Sequence, residues 1–287
     1  MEKFGLFMSI GPAVALQPGL NASGNLVWAM FVIPKAESGL YKSLRRVLHD
    51  AVMSKRLLGY VRSLQRVCGV SANGSPSNPL LHAIFALAST LGDEAFYTIA
   101  LPLCAWMLDL ALSRRLALFW ASTYYVGQAA KDLLMLPRPP KPVICLEQRY
   151  STEYGLPSTH TMGSLIPLFL ATCHWGWNSV GSDGGMPTIV FFSCLAWSGA
   201  IAVSRLYMGV HSIPDVAAGY LLGGTLLAFW LTFGAAVDPF LMGNPSAWVA
   251  VLAGGGVAIL GYPYPERWTD SYGDTALIVA TAAGFLE

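Results

Sequence analysis

PTIVFFSCLAWSGAIAV (187–203), SRLYMGVHSIPD (204–215) and VAAGYLLGGTLLAFWLTFGAAV (216–237) follow one another directly in this chain. The two outer runs are long and apolar enough to form membrane-spanning helices, which need about 17–25 mostly apolar residues. The middle stretch places Arg205, His211 and Asp215 between them. Ionisable groups at membrane depth are costly, so their presence there indicates a functional site.

The composition favours a membrane protein along most of the chain. Of the 287 residues, 54% are hydrophobic and only 11% are charged. A net charge of +1 gives no basic field for nucleic acid, so we expect no nucleic-acid partner. A soluble all-α protein with this many apolar runs would have almost no polar surface. We therefore predict an all-α, polytopic transmembrane helix bundle with helices at 78–92, 95–113, 116–136, 161–177, 187–203, 216–237 and 246–261, and a last one from Thr275.

The distribution of lysine and arginine predicts an orientation. Residues 35–66 contain eight Lys or Arg residues against Glu37 and Asp50. Arg114 and Arg115 fall in the predicted loop between two helices. If both regions are cytoplasmic, the helices alternate consistently and the active site lies at helix ends on the opposite, luminal face.

The N-terminal quarter has a different character. We divide the chain into a basic, cytoplasmic or interfacial segment, 1–75, and a transmembrane domain, 76–287. The run at 26–33 is too short to span, and Pro12 interrupts a stretch with the size of a signal-peptide core. The sequons at Asn21 and Asn73 should then be unused, because this orientation makes them cytoplasmic.

Two further polar clusters are predicted to reach the same face. In KDLLMLPRPP (131–140), Lys131 and Arg138 are two helical turns apart and project from nearly the same side. In YGLPSTH (154–160), Ser158 and Thr159 precede an apolar helix, whose free N–H groups can bind an anion. His160 follows them directly.

Each of these residues has a common structural explanation when taken alone. A single Lys or Arg at a helix end usually reaches for lipid headgroups, and an Asp in a first turn is favoured by the helix dipole. Together, however, three cations, two histidines and one carboxylate match the needs of phosphate chemistry. Lys131, Arg138 and Arg205 can neutralise phosphate oxygens, one histidine can attack phosphorus, and the other can protonate the leaving oxygen.

No metal or other cofactor is expected at this site. His160 and His211 have no carboxylate or thiolate companions at metal-ligand spacing. The five cysteines show no CxxC pair and lie mostly in apolar runs, so we expect buried thiols.

The three clusters resemble, in order and on successive helices, the signature of the type 2 phosphatidic acid phosphatase superfamily. KDLLMLPRP is similar to its Kx6RP pattern, YGLPSTH to PSxH, and SRLYMGVHSIPD to SRx5Hx3D. The segments 91–106, 146–162 and 262–284 resemble the sphingosine-1-phosphate phosphatase branch. The resemblance covers about residues 78–287, and it leads us to expect a C-terminus shorter than in the family.

The resemblance implies a role for each residue. His211 would form a phosphohistidine intermediate, Asp215 would orient it, and His160 would protonate the leaving alkoxide and later activate water. Lys131, Arg138, Arg205 and the Ser158–Thr159 backbone would bind phosphate. Metal-independent activity, an endoplasmic reticulum location and a luminal active site are implied as well.

Three functions remain open at this point. The first is dephosphorylation of sphingosine-1-phosphate or another long-chain base phosphate in the membrane. The second is the same chemistry on dolichyl or polyprenyl diphosphate, or on lipid phosphates broadly. The third is a non-catalytic phospholipid-binding or transport protein, although binding alone would not need two histidines. The sequence does not predict the oligomeric state.

Overall fold

The computed structural model describes residues 39–107, 109–150, 152–176, 180–263 and 269–286. Within these ranges the regular structure is helical, apart from one antiparallel bridge between Val70 and Pro76. The all-α prediction is therefore confirmed, whereas the expectations for residues 1–34 lie outside the described residues. The α-helices are α1 (Gly39–Val52), α2 (Lys55–Val67), α3 (Pro79–Thr90), α4 (Glu94–Met107), α5 (Leu110–Leu134), α6 (Thr159–Gly163), α7 (Ile166–Trp175), α8 (Thr188–Tyr207), α9 (Ile213–Phe233), α10 (Val237–Gly243), α11 (Ala247–Gly261) and α12 (Asp270–Leu286).

Length and composition identify the membrane-crossing helices. In the described part of the chain, α8 and the run Ile213–Gly243, formed by α9 and α10, each qualify alone. Helices α3 and α4 qualify together as one span that is bent by 63°. Helix α5 has 25 residues but carries charged side chains at both ends. It lies inside the bundle, with Trp120 and Tyr124 fully buried.

The break between α4 and α5 differs from the prediction. Helix α5 begins at Leu110, so Arg114 and Arg115 lie inside a helix and not in a loop. The Asp109 carboxylate accepts a hydrogen bond from the Leu112 N–H at 2.9 Å. Asp is a strong N-cap, while Leu, Ala and Arg are good helix formers, so the helix starts at the cap and continues through the arginines.

Two other helix starts also depend on capping. The predicted helix at 161–177 is two helices, and the first begins after Ser158, whose side chain accepts a hydrogen bond from Thr161. Helix α9 begins at Ile213, not at residue 216, because Ser212 and Asp215 form a capping box. Both caps place motif residues at the first turn of a helix.

The basic helices α1 and α2 lie at the same end of the bundle as the motifs. Arg45 donates to the Leu134 carbonyl at 2.9 Å, at the C-terminus of α5. Gln65 donates to the Tyr207 carbonyl at 3.0 Å, at the C-terminus of α8. The expectation that residues 35–66 and the motifs lie on opposite faces is therefore wrong for the described part of that range, residues 39–66. Helices α3 and α4 form one broken crossing instead of two complete ones, which reverses the side on which α1 and α2 lie.

The same contacts bear on the division of the chain. Residues 36–287 cluster in one compact unit that includes α1 and α2. The packing thus does not separate residues 39–75 from the bundle, and the boundary at residue 75 stays a prediction.

Close backbone contacts hold the short helix α6 between α5 and α9. A Cβ at Gly127 would lie 2.7 Å from the Thr159 side chain. A Cβ at Gly219 would lie 2.7 Å from the Ser158 carbonyl oxygen. Only glycine allows these approaches, which bring the second motif against the helices that carry the other two.

Candidate active site

The three motifs meet at one end of the bundle. Lys131 lies in the last turn of α5, Arg205 in the last turn of α8, and His160 in the first turn of α6. His211 lies in the turn between α8 and α9. The buried candidate residues, each at most 2% exposed, are Lys131, Ser158, Thr159, His160, Arg205, His211 and Asp215. Burying this many charged side chains costs free energy unless each one is paired. The ion pairs therefore indicate which charges are already neutralised and which remain able to bind a ligand.

His211 and Asp215 face each other at the mouth of α9. The distance from His211 Nδ1 to Asp215 Oδ2 is 3.7 Å, too long for a hydrogen bond. Asp215 Oδ2 instead accepts the Ser212 N–H at 2.6 Å. The carboxylate is fixed by the cap and lies within charge-pairing distance of the imidazole, so it can stabilise an imidazolium when one forms.

Arg205 keeps two donors available. One of its terminal nitrogens donates to Ser89 Oγ and, at 3.1 Å, to Glu147 Oε2. The other terminal nitrogen and Nε have no hydrogen-bond partner among the described residues, although both are buried. A buried guanidinium with two such N–H groups can bind an oxyanion in a bidentate manner.

Arg138 is largely committed to the protein itself. Its Nε donates to the Tyr150 carbonyl at 2.8 Å, and its Nη1 donates to the Val210 carbonyl at 2.8 Å. These bonds fasten the loop after α5 to the residue before His211. Arg138 therefore positions the nucleophile candidate as well as adding positive charge.

The anion-binding role predicted for the Ser158–Thr159 backbone meets an obstacle. The Ser158 N–H donates to the Asp215 carbonyl at 3.0 Å, so this donor is already used. The Thr159 hydroxyl accepts from Lys131 Nζ at 3.1 Å. Both residues thus connect the motifs, and the Ser158 N–H is not available as a phosphate donor in this structure.

Tyr150 lies at the centre of the site, although the sequence motifs did not predict it. Its hydroxyl lies 3.1 Å from His160 Nε2 and donates to Asp93 Oδ2 at 3.1 Å. The Arg205 guanidinium carbon lies over the Tyr150 ring, 4.7 Å from the ring centroid. The sequence QRY (148–150) lies shortly before the second motif, and this closeness was the signal that could have pointed to Tyr150. Only the fold shows that the loop crosses the site.

Two glutamates in the same loop were missed as well. Glu153 Oε2 accepts from Lys131 Nζ at 2.8 Å and lies 3.4 Å from Arg138 Nη2. Glu147 pairs with Arg205 at 3.1 Å and with Arg149 at 2.8 Å. Burial raises the pKa of the Glu153 carboxyl, but Lys131 and Arg138 outweigh that effect, so its pKa lies below the usual range. Glu153 is therefore a carboxylate at neutral pH.

Comparison with known protein families identifies the family and the fold of this chain. Residues 113–237 match the model of the PAP2 superfamily, a stretch that contains all three motifs. The structure is similar to that of a transmembrane PAP2-type phosphatidylglycerolphosphate phosphatase from Bacillus subtilis, with a TM-score of 0.51 and 16% identity. That similarity covers 68% of this chain and 94% of the other. The chain belongs to the PAP2 superfamily, and its fold is a transmembrane helix bundle.

Relatives place it more closely within that superfamily. It is 37% identical over 213 residues to sphingosine-1-phosphate phosphatase 1 of Mus musculus, covering 72% of this chain and 48% of the relative. It is 34% identical over 233 residues to sphingosine-1-phosphate phosphatase 2 of Mus musculus, covering 78% and 64%. The chain thus spans about half of the first relative's length and under two thirds of the second's.

Proposed function

We propose that this protein is a phosphoric monoester hydrolase that removes phosphate from sphingosine-1-phosphate or another long-chain base phosphate in the membrane. The observation that carries the proposal is the pair of buried Arg205 donors, without a hydrogen-bond partner in the described part of the chain, near Lys131 and two histidines. The names of the relatives support the choice of lipid. An amphiphilic substrate also suits the site, because its headgroup can reach the cations while its chain stays among the helices.

In the first half-reaction, Arg205, Lys131 and the remaining Arg138 donor bind the non-bridging phosphate oxygens. His211 attacks phosphorus through Nε2, since Nδ1 faces Asp215. The bond from phosphorus to the alkoxide oxygen breaks as the new nitrogen–phosphorus bond forms. His160 gives its proton to the departing oxygen, and the product is a neutral lipid alcohol.

In the second half-reaction, water replaces the lipid. His160, now neutral, takes a proton from the water as it attacks phosphorus, and the nitrogen–phosphorus bond breaks. Inorganic phosphate leaves and His211 returns to its neutral form. Tyr150 holds His160 Nε2, so the Nδ1 atom, which has no partner among the described residues, is the one we assign to proton transfer.

The other two candidate functions have less support. A diphosphate would bring more negative charge, yet Glu147 and Glu153 already balance much of the positive charge at the site. A binding or transport protein would have no use for a histidine held beside a fixed carboxylate. Both remain outcomes of the experiment below.

We expect the protein in the endoplasmic reticulum membrane with its active site towards the lumen, as the resemblance implies. Lysine and arginine no longer support this orientation, because α1 and α2 lie at the active-site end.

The proposal is tested by phosphate release from sphingosine-1-phosphate in detergent micelles containing excess EDTA. Wild-type protein should release phosphate, and His211→Ala should lose at least about 1,000-fold in kcat, as expected for removal of a nucleophile. His174→Ala is the matched control, because His174 is an exposed histidine in the last turn of α7. Unchanged release by His211→Ala would contradict the mechanism, and release only from a polyprenyl diphosphate would contradict the substrate. No release from any lipid phosphate would indicate a binding or transport protein.

A further inference from the structure

Glu153 is paired with two of the cations that the proposed function assigns to the phosphate of the substrate. Its Oε2 atom contacts Lys131 Nζ at 2.8 Å and Arg138 Nη2 at 3.4 Å, and its side chain is only 6% exposed. A carboxylate between two cations imitates one edge of a phosphate. When phosphate takes these cations, Glu153 loses both ion-pair partners that it has among the described residues.

Glu147 would not lose all of its ion-pair partners when phosphate binds. It pairs with Arg205 at 3.1 Å, but it also pairs with Arg149 at 2.8 Å, and its side chain is 20% exposed. If Arg205 turns to phosphate, Glu147 keeps Arg149 and contact with solvent. Of the two loop glutamates, Glu153 is thus the one that substrate binding would leave buried and unpaired, a situation that is strongly unfavourable.

We propose that Glu153 binds the substrate's ammonium group and so selects lipid phosphates that carry an amine next to the phosphate. This inference rests on the proposed function. In a long-chain base phosphate, the amine is on the carbon adjacent to the one that bears the phosphate ester. When phosphate binds Lys131 and Arg138, it displaces Glu153 from both cations. The ammonium of the substrate then pairs with the Glu153 carboxylate, so each lost ion pair is replaced.

The charge balance of the site leads to the same conclusion. The positive charges of Lys131, Arg138, Arg205 and the proton on His160 lie near the carboxylates of Glu153, Glu147 and Asp215. A phosphate dianion alone would give this buried site a net negative charge. An ammonium on the same molecule offsets part of it, whereas a lipid phosphate without an amine does not.

The experiment compares two substrates that differ only in whether the amine is acetylated, which removes its positive charge. One is sphingosine-1-phosphate, and the other is N-acetylsphingosine-1-phosphate, whose amide is neutral. Wild-type protein should prefer the amine by at least about tenfold in kcat/KM, equivalent to about 1.4 kcal/mol. Glu153→Gln should lower that ratio to near one, mainly by reducing the rate with the amine substrate.

Asp270→Asn is the matched control. Asp270 is an exposed acid that accepts a hydrogen bond from Thr152, in the same loop as Glu153, and it should leave the substrate ratio unchanged. An equal loss on both substrates in Glu153→Gln would overturn the inference, because it would mean that Glu153 only holds Lys131 and Arg138 in place.

A second measurement uses the wild-type protein alone, in case Glu153→Gln does not fold. Phosphoethanolamine should inhibit at least about tenfold more tightly than ethyl phosphate, which lacks the amine. Equal inhibition would overturn the inference while sphingosine-1-phosphate hydrolysis continued. If wild-type protein released no phosphate from either sphingosine derivative but did so from another lipid, the proposed function itself would fail.

Discussion

At the scale of single residues, the site depends on side chains from a loop that no motif contains. Tyr150 contacts His160, Asp93 and the Arg205 guanidinium. Glu153 pairs with both Lys131 and Arg138. The motifs contain the candidate catalytic residues, whereas Tyr150 contacts one of the two histidines and Glu153 pairs with two of the cations.

We expect Tyr150→Phe to lower kcat by about 10–100-fold with little change in KM. The ring and its packing stay, but His160 loses the hydroxyl that orients it as the general acid and base, a function worth typically about 10²–10⁴-fold in all. Steady-state kinetics on sphingosine-1-phosphate would measure the effect. Tyr60→Phe, at an exposed tyrosine on α2, is the control. A rise in KM with kcat unchanged would indicate instead that Tyr150 binds the substrate.

At the scale of helices, capping and glycine contacts assemble the site. Ser158 and Ser212 begin the two helices that follow the second and third motifs. The Ser158 N–H then bonds to the carbonyl of Asp215, which joins those two motifs directly. Gly219, one turn further along α9, makes that approach possible because it has no side chain.

Gly219→Ala should therefore be destabilising, by about 1–3 kcal/mol, and should also reduce activity. The added methyl group would lie 2.7 Å from the Ser158 carbonyl oxygen, a backbone atom that can move only if α6 moves. Thermal unfolding in detergent, together with phosphate release, would detect both effects. Gly224→Ala is a matched control on the same helix, because its methyl group would have no described atom within 4 Å beyond the adjacent backbone of α9. Equal behaviour of the two variants would contradict the packing argument.

At the scale of the whole molecule, the broken crossing formed by α3 and α4 sets the topology. It places α1, α2 and the turn around Asn73 at the active-site end. Arg114 and Arg115 lie near the start of α5, which is at the opposite end of the bundle. Asn73 is exposed and is followed by Gly74 and Ser75, so its sequon is accessible. Its modification therefore reports on which compartment the active site faces.

If the active site is luminal, Asn73 should carry an N-linked glycan in mammalian cells. An endoglycosidase-sensitive mobility shift should then be present in wild-type protein and absent in Asn73→Gln. Asn21→Gln tests the other sequon in the same way. In intact microsomes, a membrane-impermeant maleimide should fail to label Asn73→Cys. Labelling there would mean that the active-site end is cytoplasmic.

The sequence by itself determined the class of fold, the three motifs and the candidate site residues within them, because apolar run length and motif spacing are local properties of the chain. Only the tertiary structure decided that Tyr150, Glu147 and Glu153 lie among those residues, because their positions depend on how a loop folds back over helix ends. It also decided the side on which α1 and α2 lie. Hydropathy counted α3 and α4 as two crossings, and only their packing around the site shows that they form one.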